Sequence, residues 1–135
     1  MSDCIFCKIV SGQIPCYKVY EDDYVLAFLD IANDVYGHTL VIPKAHCTNL
    51  LDADEQCLAK VMTAVQKVGQ HYVANCGFDG FNTFNCNGKD AEQSVFHLHI
   101  HVIPRKNGDA IHIWSNKGKQ TEDLAEICNK LKLSN

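Results

Sequence analysis

The 135-residue chain has three prolines and one tryptophan, and no stretch rich in proline, glycine or serine breaks it. Linkers, internal repeats and low-complexity segments are therefore excluded. No apolar run approaches the roughly 20 residues needed to cross a bilayer, so no membrane span is expected. Twelve basic residues stand against sixteen acidic ones, for a net charge of −4. They form no lysine–arginine stripe to hold a nucleic-acid backbone. Nucleic acid is thus not the expected partner, and any phosphate-bearing ligand should be small. The opening Met1-Ser2-Asp3-Cys4 lacks the basic and then apolar stretches of a secretory leader. The expected compartment is the cytoplasm, with the nucleus added if the source is eukaryotic.

Cysteine, by contrast, is plentiful. Cys16, Cys47, Cys57, Cys76, Cys86 and Cys128 are scattered, several within apolar patterns, and read as reduced, mostly buried thiols. Only Cys4-Ile5-Phe6-Cys7 has chemical spacing. Hydrophobic content of 47% and charged content of 21% suit one globular domain with a real core.

The most informative stretch is His97-Leu98-His99-Ile100-His101-Val102-Ile103-Pro104. Strict alternation is the period of a half-buried strand, so His97, His99 and His101 should share one face while Leu98, Ile100 and Val102 enter the core. A lone histidine there would be structural. Three in register, with no acidic residue or lysine between them, point to an active site, because imidazole can act as nucleophile, base, acid or ligand near neutrality.

Elsewhere, residues 4–10 read as a short helix ended by Ser11-Gly12. Residues 18–20 and 24–29 read as strands around Glu21-Asp22-Asp23, and 38–42 as a third strand stopping at Pro43. Asp52 is placed to cap a long helix whose stripe is Leu58, Val61, Met62, Val65, Val68, Tyr72 and Val73, with Gly77 past its end. A strand over 81–85 and a polar loop over 87–92 lead to the histidines. An extended piece from Ile111 to Trp114 follows, and Thr121 is placed to cap a last helix bearing Leu124, Ile127, Cys128 and Leu131. Strands in adjacent pairs with few helices favour α+β with an antiparallel sheet.

The run Gln93 to Arg105 resembles the signature of the histidine-triad (HIT) family, in which single apolar residues separate three histidines. The resemblance extends to residues 4–9, 27–31 and 37–46, and weakens in the long helix and in the extension after residue 105. It implies a half-barrel of five antiparallel strands that pairs with a second copy into one continuous sheet. The long-helix stripe and the segment around Trp114 are candidate interface. It also implies hydrolysis of purine nucleoside 5′-phosphoramidates or related nucleotides at the α-phosphorus, in the manner of Hint-like members. Alternatives are a Fhit-like dinucleoside polyphosphate hydrolase and a nucleotide-binding scaffold with little turnover.

Carried over residue by residue, His99 becomes the nucleophile, and His101 and His38 become donors to the phosphate oxygens. Ser94 becomes the donor to the leaving group and Asp30 the ribose ligand. Phe6, Phe28 and Ile31 would wall the base pocket, with Asn87 and Gln93 in the nucleotide-binding loop. Two positions depart from the family pattern. Glu92 replaces a glycine, which would strain the chain if φ there is positive. Cys86 replaces an asparagine that Asn85 or Asn87 could stand in for.

Cys4 and Cys7, with His46 and His97, make a Cys2His2 set suited to structural zinc, and HIT proteins that hold zinc use matching positions. A redox pair and two unligated thiols are the competing readings. The redox pair would need a strand before Cys4, where three residues stand.

Overall fold

A computed structural model describes residues 3–113 and 118–134. Helix α1 (Ile5–Val10) is followed by strands β1 (Lys18–Glu21), β2 (Val25–Leu29) and β3 (Thr39–Pro43). The long helix α2 (Glu55–Asn75), strands β4 (Gly80–Phe84) and β5 (Ile100–Arg105), and helix α3 (Leu124–Leu131) complete the order. All pairings are antiparallel and the strand order is β1-β2-β3-β5-β4. The expected five-stranded α+β architecture with three helices is the observed one.

Strand alternation sorts side chains onto the two faces. Val25 and Ala27 of β2, Val41 of β3, and Ile100 and Val102 of β5 pack with Leu98 against Val61, Ala64, Val65, Val68 and Tyr72 of α2. The opposite parity, Leu26, Phe28, Leu40 and Ile42, packs with Phe6 of α1. Because both faces are covered, β2 and β3 read as continuous apolar runs. Gly69 makes room for the Phe81 ring against α2, since a Cβ there would lie 2.2 Å from it.

The structure corrects several local expectations. Asp54, not Asp52, caps α2, its Oδ1 accepting the Cys57 amide at 2.7 Å. Asp52 instead accepts the amides of Thr48 and Asn49, tightening the turn before the helix. Met62 and Val73 lie on the flank of the stripe and are exposed. Asp123 caps α3 in place of Thr121. Leu124 and Leu131 of α3 are exposed. Residues 111–113 form no strand, and Trp114 lies outside the described residues.

The histidine strand also starts later than its alternation implies. Residues 95–97 bend, and the Leu98 amide bonds the Cys47 carbonyl at 2.9 Å rather than a neighbouring strand. Leu98 still faces α2. Alternation therefore outlasts the sheet, and His97 is freed to turn toward α1.

Candidate active site

The register lays one row across the α1 face of the sheet: Phe28 opposite Leu40, Leu40 opposite His101, and His101 opposite Phe84. Phe28, Leu40 and His101 of this row floor a cavity of about 360 Å³, walled by Phe6, Ile14, Ile31 and Val95 and reached by Asp30, Ser94 and His99. The lining is apolar with a few convergent polar groups, as in small-molecule sites generally.

His99 is buried. Its Nδ1 lies 2.8 Å from the His97 carbonyl. A carbonyl only accepts, so Nδ1 carries the proton and Nε2 keeps its lone pair. The His99 carbonyl in turn accepts from Asn85 Nδ2 at 2.9 Å, and Asn87 bonds Asn85 while taking the Leu50 amide at 2.8 Å. Phe6 wedges edge-on between His99 and His97, with ring centroids 5.2 and 5.8 Å away.

His38 and His101 form a pair, with Nε2 of the first 2.8 Å from Nδ1 of the second. Behind His38, Asp34 Oδ1 accepts from Nδ1 at 2.9 Å, which fixes the tautomer of that ring. Phe84 stacks flat on His101 at 4.2 Å between centroids and 10° between planes. Burial, reinforced by the neighbouring His99 and His38, pushes His101 down to about 4, against the opposing pull of Asp30 and Asp34. In the free protein His101 is therefore neutral at pH 7.

Asp30 gives Oδ1 to the Ala32 amide at 2.7 Å and turns Oδ2 toward His38 Nε2, 3.7 Å away. Gly37, at φ 77°, brings the chain to His38, and a Cβ there would lie 2.7 Å from Pro104. Thr39 Oγ1 bonds the Gly37 carbonyl at 2.7 Å and the Tyr72 hydroxyl at 2.6 Å, tying this turn to α2.

A second cluster lies behind Phe6. Ligand atoms of Cys4, Cys7, His46 and His97 all fall within 4.8 Å of one another and could hold a metal ion. His97 Nε2 donates to the Pro43 carbonyl at 2.8 Å. Its Nδ1 is thereby left unprotonated toward the thiols and His46. Burial pushes the His97 pKa down, and burial together with Cys4 pushes the Cys7 thiol up.

Most of the residues singled out in the sequence thus converge on one cavity and one metal-binding cluster. Gln93 and Asn87 do not line the cavity. Gln93 is buried, its amide shared among Asn49, the Gly88 amide and the carbonyls of Thr48 and Val95. Both residues hold the 87–93 loop. Glu92 does sit at positive φ, 68°, a backbone that costs a side-chain-bearing residue about 1–2 kcal/mol. Sequence reasoning missed Asp34 and Phe84. Asp34 lies four residues before His38, and Phe84 needed the β4–β5 register.

A model of the HIT domain family matches residues 11–108. The chain belongs to the histidine-triad family. Among its relatives, this HIT protein is 44% identical over 133 residues to Protein hit of Bacillus subtilis, covering 96% of this chain and 92% of that one. It is 43% identical over 104 residues to the adenosine 5′-monophosphoramidase hnt1 of Schizosaccharomyces pombe, covering 77% and 75% of the two chains. A crystal structure of a zinc-bound histidine-triad protein from Mycobacterium smegmatis superposes with a TM-score of 0.77 at 39% identity, covering 87% of this chain and 85% of the other.

Proposed function

We propose that this HIT protein hydrolyses purine nucleoside 5′-phosphoramidates, or closely related nucleoside monophosphate derivatives, at the α-phosphorus through a nucleotidyl-His99 intermediate. The observation that carries this is the 2.8 Å bond from His99 Nδ1 to the His97 carbonyl. It spends the proton of the ring on the backbone and leaves Nε2 as an oriented nucleophile at the cavity. The adenosine 5′-monophosphoramidase among the relatives supports the substrate class.

In the first step His99 Nε2 forms a bond to phosphorus and the P–N bond breaks, its electron pair leaving with the amine. Ser94, exposed at the cavity rim, is the donor placed for that departing nitrogen. His101 meets the phosphate oxygens, with His38 paired behind it. With Asp34 holding a proton on His38 Nδ1, an extra proton on the pair makes His38 donate to His101 Nδ1, and His101 then presents Nε2–H. An arriving phosphate favours this protonated state. Negative charge building on phosphorus is met by preorganised donors rather than by water. In the second step water forms the new P–O bond and gives its proton to Ser94, replacing the one that left with the amine, and His99 leaves with its lone pair restored. Asp30 is the ribose ligand, and Phe6, Phe28 and Ile31 contact the base.

The Cys4/Cys7/His46/His97 cluster fits zinc. A tetrahedral zinc with bonds of about 2.3 Å to sulfur and 2.05 Å to nitrogen needs edges of about 3.6 Å (S–N) and 3.3 Å (N–N). Three of the four S–N separations are 3.4, 3.4 and 3.6 Å and the N–N separation is 3.2 Å. Zinc here supplies structure, tying α1 and the 43–46 segment to the backbone that orients His99. The open edge of β4, with Phe81 and Phe84 part-exposed beside it, supports side-by-side pairing of two copies.

Steady-state hydrolysis of adenosine 5′-phosphoramidate and of diadenosine triphosphate tests the substrate class. The proposal requires higher kcat/KM for the phosphoramidate and loss of turnover in His99→Ala. A preference for the dinucleotide would favour the Fhit-like reading, and binding of AMP without turnover of either would favour the scaffold.

A further inference from the structure

The metal-binding potential of this molecule does not end at the cysteine cluster. Asp30, His38 and His101 also bring one ligand atom each to within 4.8 Å of the others. We propose that these three side chains form a second, weaker site for a divalent transition-metal cation, and that its occupation shuts the nucleotide out.

Two imidazoles and one carboxylate form a donor set that suits zinc, cobalt, nickel or iron while leaving further coordination positions open. The supporting contacts have the form found around metal-bound histidines, where a carboxylate takes the far ring proton and aims the other nitrogen. Asp34 does this for His38, accepting from Nδ1 at 2.9 Å and leaving Nε2 to face His101 and Asp30. Asp30 is divided in the same sense. Its Oδ1 is held by the Ala32 amide at 2.7 Å, while Oδ2 faces His38 Nε2 at 3.7 Å.

Ligands about 2.1 Å from a common ion stand about 3.0 Å apart when adjacent in an octahedron. The His38–His101 separation of 2.8 Å is close to that edge, while Asp30 Oδ2, 3.7 Å from His38 Nε2, has to draw in and the two rings have to turn from facing each other toward the ion. On binding, the proton now shared between the two rings moves to His101 Nε2 or to solvent. The lack of thiolate makes this site weaker than the cysteine cluster for soft cations. The inhibitory clause rests on the function proposed above, which gives Asp30 to the ribose and His101, backed by His38, to the phosphate. A cation held by the same three groups takes all of them at once. Free cation would then regulate an enzyme whose structural metal sits elsewhere.

The test uses protein preloaded with one equivalent of zinc and titrated with cobalt chloride in equilibrium dialysis, alongside absorption spectra. One further equivalent of Co2+ should bind without thiolate-to-cobalt charge-transfer absorption. It should bind at least tenfold more weakly in His38→Ala and in Asp30→Asn, each checked for folding by circular dichroism. No second equivalent, equal binding by both variants, or a thiolate band reporting displacement at the cysteines would overturn the site. AMP should release more of the bound Co2+ than chelation by AMP alone accounts for, the latter measured as Co2+–AMP binding in protein-free dialysis. If AMP binds the metal-free protein but leaves Co2+ in place, the inhibitory clause is refuted. If AMP fails to bind at all, the proposed function fails while the metal site stands on its own stoichiometry.

Discussion

Mild acid should destabilise this protein, and an identifiable share of the loss belongs to His101. His101 is pushed down to about 4 by burial and by His99 and His38, whereas in the unfolded chain it returns to about 6.5. Between these values the unfolded state binds more protons, so stability falls as pH falls. The favourable contribution is whole above about pH 6.5 and is lost as pH drops toward 4. At pH 5 the folded ring is about a tenth protonated and the unfolded ring nearly fully so, giving a slope of about 1.2 kcal/mol per pH unit. Integrated from pH 7 to pH 5, the loss is about 2 kcal/mol. Urea denaturation with zinc present, at half-unit steps from pH 7.5 to 4.5, measures this. The comparison is His101→Gln, which loses the stack on Phe84 as a constant offset but has nothing to titrate. The wild-type curve should be steeper by about 1 kcal/mol per unit near pH 5. Parallel curves would refute the assigned burial of His101 and its neutral state in the free protein.

Other perturbations follow from the same contacts. Asp34→Asn keeps a hydrogen-bonding group behind His38 but withdraws the charge that holds its proton. The expected result is roughly a tenfold fall in kcat/KM with little change in melting temperature, so an equally active variant would argue against the pair as phosphate donors. Cys7→Ser, or stripping with a chelator, should release one bound zinc per chain and lower the melting temperature. A metal analysis showing no zinc before treatment would contradict the assignment. Gly69→Ala forces a methyl onto the Phe81 ring, which a Cβ would meet at 2.2 Å. Overpacking of this kind costs about 1–3 kcal/mol, offset by the roughly 1 kcal/mol that alanine gains over glycine inside a helix, so the net loss read from the denaturation midpoint is at most about 2 kcal/mol.

Legibility in the sequence followed the range of the interaction. The alternation of Leu98, Ile100 and Val102 with the histidines announced which side meets the core, because period-2 patterning is local, and the structure puts those three against α2. The C-x2-C spacing marked the cluster that could hold a metal, since both cysteines lie on one turn at the start of α1. Caps were read less well. Asp52 and Asp54 are two residues apart and equally competent, and only the path of the chain into α2 chooses between them. Contacts set by strand register were out of reach. Phe84 reaches His101 because β4 pairs with β5 across the whole loop that carries Gln93 and Ser94. Asp34 becomes a histidine partner only once the turn through Gly37 folds back. Gln93 shows the converse, since a motif residue beside Ser94 is fully used inside its own loop.

The central claim is that His99 attacks phosphorus. It is tested most directly by intact mass spectrometry after rapid mixing with adenosine 5′-phosphoramidate and an acid-free quench, on wild type and His99→Ala. A mass gain of one adenylyl group in wild type, absent in the variant, is the predicted result. An adduct that persists in His99→Ala, or turnover to AMP with no adduct at any mixing time, would contradict it.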